Sequence, residues 1–191
     1  MKYRNYLLIK SKSKLRILFS SSYFRLVKKI LLLSDTHSYI DDQILKFVQQ
    51  ADEVWLAGDI GTNDVTDAIK NLKPLRAVFG NIDGKEIRTE FPLDLIFEVE
   101  KIKVWITHIG GYPNRYYPRV KEQISKIKPN LFICGHSHIL KVMYDNKNEL
   151  LHLNPGAAGK NGFHKVRTML RFVIDNGNVK DMEVIELAKR S

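Results

Sequence analysis

From Lys28 onward, short apolar runs alternate with amphipathic segments, the pattern of an α/β domain. Lys29–Leu33, apolar without alternation from Ile30, predicts a buried strand that leads into Ser34-Asp35-Thr36-His37. Ile40–Ala51 carries Ile40, Ile44, Leu45, Phe47 and Val48 at helical spacing, with Asp41 and Asp42 near the positive amino end. A second strand, Glu53–Ala57, runs into Gly58-Asp59, and Asn63–Leu72 predicts a helix stopped by Pro74. Leu75–Phe79 is a third strand, followed by Gly80-Asn81-Ile82-Asp83. Asp94–Val99 and Lys103–Thr107 read as a hairpin that delivers His108, and Val120–Ile127 as a helix between Pro118 and Pro129. Leu131–Cys134 is a short buried strand ending at Gly135-His136-Ser137-His138. Further strands are expected at Leu140–Tyr144, Leu150–Leu153, Thr168–Ile174 and Val179–Glu186, with turns at Asp145-Asn146 and Asn176-Gly177. A crossover-rich first half and a strand-rich second half argue for two packed sheets flanked by helices.

Composition narrows this picture in two ways. At 191 residues and 44% hydrophobic, the chain suits one well-packed domain with a single core. The formal charge of +10 suggests an acidic partner until it is located: residues 1–29 hold nine basic residues and no acidic one, leaving 22 basic against 21 acidic in the rest. The basicity therefore belongs to a tail, and nucleic acid is not the expected partner. Residues 1–27 have no apolar run near the roughly 18 residues of a membrane span, nor the pattern of a secretory signal. They are expected to form a basic N-terminal extension, disordered or translated upstream sequence, before a domain over 28–191. One cysteine, Cys134, excludes an internal disulfide and a Cys-rich zinc site and fits a reducing, cytoplasmic setting.

Candidate chemistry collects where the predicted strands end. Asp35 and His37 follow the first strand, Asp59 the second, Asn81 the third, His108 the hairpin, and His136 with His138 the short strand. Loops past the carboxyl ends of strands share one rim of a sheet, where α/β proteins build their sites. If Asp35 and His37 are extended, residues two apart face the same way, about 6.5–7 Å apart. Four of the six histidines fall in this set, together with Asp and Asn oxygens and no thiolate, a donor mixture suited to manganese, iron, zinc or nickel rather than calcium. This ligand list exceeds what one ion draws from protein, so two metals are the economical explanation. Each residue alone has an ordinary structural role: Asp35 as a cap, Asp59 and Asn81 in turns, His108 as a satisfied core histidine. The ordered set is what argues for a metal centre.

Taken together, Asp35-x-His37, Gly58-Asp59, Gly80-Asn81, His108 and Gly135-His136-Ser137-His138 resemble, in order and spacing, the five-block signature of the calcineurin-like metallophosphoesterases. The compact size and the Asn154-Pro155-Gly156 turn are most similar to the small bacterial and archaeal phosphodiesterase branch, which also contains the retromer subunit Vps29. The resemblance covers about Lys28 to Arg190 and implies a four-layer sandwich of two mixed β-sheets flanked by helices. It implies that Asp35, His37, Asp59 and His138 bind one metal, that Asp59, Asn81, His108 and His136 bind the other, and that Asp59 bridges. It further implies two divalent ions, manganese foremost, and a metal-bridging hydroxide that attacks a small-molecule phosphate ester, a diester rather than a monoester, with Asn81, His108 and Asp59 as the catalytic group. The alternative within the family is a noncatalytic, Vps29-like protein-binding scaffold. One position departs from the pattern: many relatives carry a histidine after the block-three asparagine, where this chain has Ile82, so leaving-group protonation must come from elsewhere or be dispensable for good leaving groups.

Other residues carry weaker expectations. His152 reads as structural, and Cys134 as a small core residue. The loop Asn154–Gly159 either approaches the substrate or makes a tight return, with Lys160, His164 and Arg167 following it. Asp83 either orients a neighbour or is an ordinary surface carboxylate. Tyr112, Arg115, Tyr116 and Tyr117 either meet the substrate or pack their loop onto the core.

Overall fold

The structure, a computed structural model, describes residues 27–163 and 165–189. Residues 1–26, nearly all of the expected N-terminal extension, lie outside the described residues, as does His164.

Strand β1 (Lys28–Leu33) is followed by α1 (Asp42–Gln50), β2 (Glu53–Ala57), α2 (Asn63–Lys70), β3 (Leu75–Val78) and α3 (Lys85–Glu90). The chain continues with β4 (Asp94–Val99), β5 (Ile102–Thr107), the two-residue strands β6 (Gly111–Tyr112) and β7 (Arg115–Tyr116), and α4 (Pro118–Ile127). It ends with β8 (Leu131–Ile133), β9 (Lys141–Asp145), β10 (Leu150–Asn154), β11 (Val166–Asp175) and β12 (Asn178–Lys189). One sheet has the order β12-β11-β1-β2-β3 and the other β4-β5-β8-β10-β9. Both are mixed. In the first, β1 runs parallel to β2 and antiparallel to β11; in the second, β8 runs parallel to β5 and β10, while β4 and β9 are antiparallel edges.

The two faces of β1 explain its unbroken apolar run. Ile30 and Leu32 enter the core between the sheets with Trp55, Ile106, Ile133 and Leu153, while Leu31 and Leu33 point the other way onto Ile44, Val48, Val65 and Ile69 from α1 and α2. On the far side, Trp105, Phe132 and Leu150 of the second sheet meet Val120 and Ile124 of α4. Each fully buried side chain of this size contributes about 1.5–3 kcal/mol of transfer free energy. The layers are thus helix, sheet, sheet, helix, and the four-layer expectation holds.

Local boundaries follow local chemistry. Helix α1 starts later than its apolar spacing suggests because Asp41 is its N-cap, its Oδ1 accepting the Ile44 amide at 2.9 Å. Pro118 is the first helical residue of α4 rather than its boundary, since a first-turn amide needs no intrahelical partner. Helix α3 has no counterpart in the sequence expectations: it is six residues long and buries only Ile87, too little to produce a periodic signal. The closing hairpin β11–β12 joins the first sheet beside β1, so the strand-rich second half completes both sheets.

Candidate metal centre

The site lies where β1, β2 and β3 of one sheet and β5 and β8 of the other end. The single rim expected from sequence is therefore two rims, closed on each other by the packing of the sheets. Asp35 and His37 are not extended, as the two-residue spacing argument assumed. Their φ angles are +54° and +47°, and Asp59, His136 and His138 are also left-handed, at +49°, +67° and +56°. Non-glycine residues adopt this region at a cost of order 1 kcal/mol or more each, and such strain concentrates at functional sites. Here it persists because the loops are tied to each other. The amides of Asp35, His37 and Ser38 donate to the carbonyls of Gly58, Asp59 and Ile60 at 3.0, 2.9 and 2.8 Å, so the first ligand loop is laid along the second.

All the sequence candidates for metal binding come together as two adjoining groups. Asp35, His37 and His138 offer ligand atoms within 4.8 Å of one another, and so do Asp59, His108 and His136. In the first group His37 Nε2 lies 3.4 Å from His138 Nε2, which is 3.2 Å from Asp35 Oδ1. In the second, His108 Nε2 is 3.1 Å from both Asp59 Oδ1 and Asn81 Oδ1, and the His108 and His136 ring centroids are 5.3 Å apart. Asp59 faces both groups, its other oxygen being 3.7 Å from His37 Nε2.

These residues fit divalent cations. Asp35 Oδ1 is fully buried yet accepts no hydrogen bond among the described residues, and lone-pair-bearing nitrogens converge on the same small volume, an arrangement that a central positive charge would resolve. The Nδ1 of His108 faces the Ala57 carbonyl at 2.7 Å, so an Nδ1–H there turns the Nε2 lone pair toward Asp59 and Asn81. Burial works to raise the carboxyl pKa of Asp59, but the hydrogen bond and charge of His108 outweigh it and hold the group below its usual value. His108 shows the converse: burial disfavours its cation, while Asp59 and Asp35 raise its pKa overall. His136 is pushed down, by burial and then by the neighbouring His108. A cation bound to this cluster would compete with a proton for His108 Nε2, which would couple metal binding to proton release.

Around the ligands, several residues act as braces. Asp83 is buried, and its two oxygens accept the Gly61 and Gly80 amides at 2.7 Å each, which joins the loops after β2 and β3 and makes it the orienting carboxylate of the two alternatives. Asn154 does not reach a ligand; its amide donates to the Gly135 carbonyl at 2.8 Å and to Ser137 Oγ at 3.2 Å. The amides of Ala158 and Gly159 donate to the Ser34 and Asp35 carbonyls, so the Asn154–Gly159 loop supports both histidine-bearing and aspartate-bearing loops from behind. Gly156, with φ +74°, makes the turn that this requires.

The remaining candidates lie apart. His152 is buried on the outer face of the second sheet between Tyr116 and Phe132, and Cys134 is buried beside it with its thiol pKa pushed up to about 12, chiefly by burial. Arg167 donates to the Ala158 carbonyl and pairs with Asp41, Lys160 covers the Tyr39 ring, and Tyr112 lies under Lys141. Arg115 and Tyr116 pair with Tyr112 and Gly111 in the small β6–β7 hairpin, where the Tyr116 hydroxyl donates to Asp145 at 2.9 Å.

Beside His108 and Asn81 opens a cleft of about 230 Å³ that also takes in Arg88, Leu93, Tyr117 and Arg119. Arg88 is the residue that sequence reasoning missed, because it sits on the short helix whose single buried residue leaves no pattern. A larger cavity, of about 530 Å³, is lined by Phe47, Gln50, Arg171 and Glu183 on the outer face of the first sheet. It contains none of the clustered ligands, so chemistry rather than size marks the site.

Known proteins resemble the chain in sequence and in fold. It is 25% identical over 131 residues to a probable metallophosphoesterase of Methanothermobacter thermautotrophicus, covering 66% of this chain and 74% of that one. A probable metallophosphoesterase of Methanocaldococcus jannaschii is 26% identical over 132 residues, 66% of each. Among solved structures, an archaeal phosphodiesterase superposes with a TM-score of 0.63 at 23% identity, covering 83% of this chain and 99% of that one. A predicted phosphoesterase of Streptococcus pneumoniae gives 0.60 at 20%, covering 84% and 98%. Vps29 of Entamoeba histolytica, solved with zinc, gives 0.62 at 17%, covering 83% and 98%. At these identities the structural likenesses speak for the fold alone. The sequence model of the calcineurin-like phosphoesterase superfamily domain matches residues 29–177, and the chain belongs to that superfamily.

Proposed function

We propose that the protein is a dinuclear metal-dependent phosphodiesterase acting on small phosphate esters in the cytoplasm. The observation that carries this reading is Asp59, whose two oxygens face one ligand group each, Oδ1 toward His108 and Oδ2 toward His37. Asp35, His37, Asp59 and His138 would hold one divalent ion, and Asp59, Asn81, His108 and His136 the other; manganese, iron, zinc and nickel all suit these oxygen and imidazole donors. Bound there, such ions supply Lewis acidity toward a phosphoryl oxygen and activate water near neutral pH.

The chain's own part is orientation. His108, fixed through Nδ1 by the Ala57 carbonyl, presents only Nε2 to the substrate side, and Asn81 beside it adds an amide that can donate to a phosphoryl oxygen. Asp83 and the Asn154–Gly159 loop hold the ligand-bearing backbones at fixed separation, so little reorganisation accompanies the reaction. No helix among the described residues is long and apolar enough to cross a membrane.

The test is hydrolysis of bis(4-nitrophenyl) phosphate with added manganese. Asp59→Asn and His108→Ala are each expected to lose about 10²-fold or more in kcat/KM. Absence of metal-dependent turnover in the wild type under manganese, zinc, iron and nickel, or variants that match it, would overturn the reading. A second reading, a noncatalytic protein-binding scaffold, draws on the likeness to Vps29 and on the exposed apolar run Ile139, Val142, Met143 and Tyr144 around edge strand β9. Folded protein that binds no divalent ion would favour it.

A further inference from the structure

Two guanidinium groups line the cleft beside His108 and Asn81, and they differ in one respect. Arg119 is ion-paired with Asp94 and donates to Thr107 Oγ1 at 2.8 Å, so its charge is neutralised within the protein. Arg88 has no carboxylate within ion-pair distance among the described residues. Its Nε donates to the Asp83 carbonyl at 2.6 Å, its Nη2 to the Gly80 and Asn81 carbonyls at 3.1 and 3.3 Å, and its guanidinium stacks on Phe79 at 4.4 Å. That leaves Nη1 without a hydrogen-bond partner among the described residues. A cation is thus held rigidly to the loop that carries Asn81, exposed, uncompensated and facing the cleft.

An uncompensated, preorganised donor beside a reacting centre suits a place where negative charge develops. On the same loop Ile82, 47% exposed, occupies the position next to Asn81; its amide donates to Asp59 Oδ1 at 3.1 Å, and its side chain offers neither a proton nor a hydrogen bond. The cleft itself, also lined by Leu93 and Tyr117, is below the roughly 300–1,000 Å³ of sites for drug-sized ligands and has room for about one ring or a short alcohol.

Resting on the phosphodiesterase reading, we infer that this cleft receives the departing alcohol of a small diester and that Arg88 stabilises the charge on its leaving oxygen. When the P–O ester bond breaks, the bond pair stays with that oxygen and Arg88 donates an N–H to it. Water supplies a hydroxyl to phosphorus, and its remaining proton reaches the departing oxygen through solvent, because a guanidinium does not release its own. The substrate class follows: small diesters with a compact, single-ring or short-chain leaving group, including poor leaving groups that Ile82 could not assist.

The experiment is a leaving-group series. Methyl aryl phosphodiesters, from 4-nitrophenyl to unsubstituted phenyl, are turned over by manganese-loaded wild type, Arg88→Gln and Arg88→Lys, with bound manganese and Tm measured on each. Arg88→Gln is expected to lose about tenfold or less in kcat/KM on the 4-nitrophenyl ester and about 10²-fold on the phenyl ester, with Arg88→Lys recovering part of the second loss. A merely structural role would lower all esters in parallel and reduce the bound manganese. Parallel losses, or none, overturn the role of Arg88 and leave the phosphodiesterase reading standing. No turnover of any ester by the wild type overturns both.

Discussion

At Gly80 the backbone passes so close to Asp59 that a Cβ would overlap the carboxylate Oδ1 and the Asp59 amide nitrogen. The glycine is there because one side chain must reach two ligand groups from a crowded position. Gly80→Ala therefore displaces Asp59: manganese affinity is expected to fall about 10–100-fold, read by titration calorimetry, with roughly 1–3 kcal/mol lost from stability. His152 presents a different case. Neither ring nitrogen has a hydrogen-bond partner among the described residues, and burial, then the Lys141 charge, push its pKa from 6.5 to about 4 despite Asp145. Between those values the unfolded chain takes up a proton that the folded chain refuses, so stability is full above about pH 6.5 and declines as pH falls toward 4. The contribution is on the order of 3 kcal/mol at the acid end. In urea titrations from pH 7 to pH 4, His152→Leu is expected to flatten that decline; an unchanged slope would assign the acid sensitivity to other groups.

Elements deliver the ligands, and loops aim them. Strands β1, β2, β5 and β8 are legible because fully buried apolar runs leave an unmistakable trace, and each was followed in the sequence by its Asp or His. The conformation past their ends was not legible. Asp35 and His37 look like an extended pair, and only the hydrogen bonds from their loop to Gly58 and Asp59 turn both into left-handed backbone. Asp83 likewise reads as an ambiguous carboxylate until Gly61, far away in sequence, is seen donating to it. Asp83→Ala removes the acceptor of one buried and one part-buried amide, which is expected to cost about 3 kcal/mol in denaturant unfolding and to weaken manganese binding about tenfold or more. Retention of full metal affinity would show that the two loops hold their places without it.

For the molecule as a whole, two sheets meet over Ile30, Leu32, Trp55, Ile106 and Leu153, and the same packing sets the distance between ligand groups drawn from both sheets. Folding and metal binding are then linked. Manganese at about 100 times its Kd stabilises the folded state by about 2.7 kcal/mol, which for a chain of this size corresponds to a Tm rise of about 5–10 °C, reversed by EDTA. A Tm indifferent to manganese and EDTA alike would count against a built metal centre and for the scaffold reading.

The order and spacing of Asp35-x-His37, Gly58-Asp59, Gly80-Asn81, His108 and Gly135-His136-Ser137-His138 determined, without coordinates, the family, the α/β class and the ligand candidates, because each block ends a strand whose burial is written in its apolar residues. Tertiary structure alone decided how those blocks pair into two groups around Asp59, since that depends on which sheet each strand joins and on loop hydrogen bonds between residues some 20 to 100 positions apart. It also decided that Arg88 is the uncompensated cation beside them. Whether a surface arginine meets a carboxylate is a matter of what folds next to it, and nothing along the chain records that.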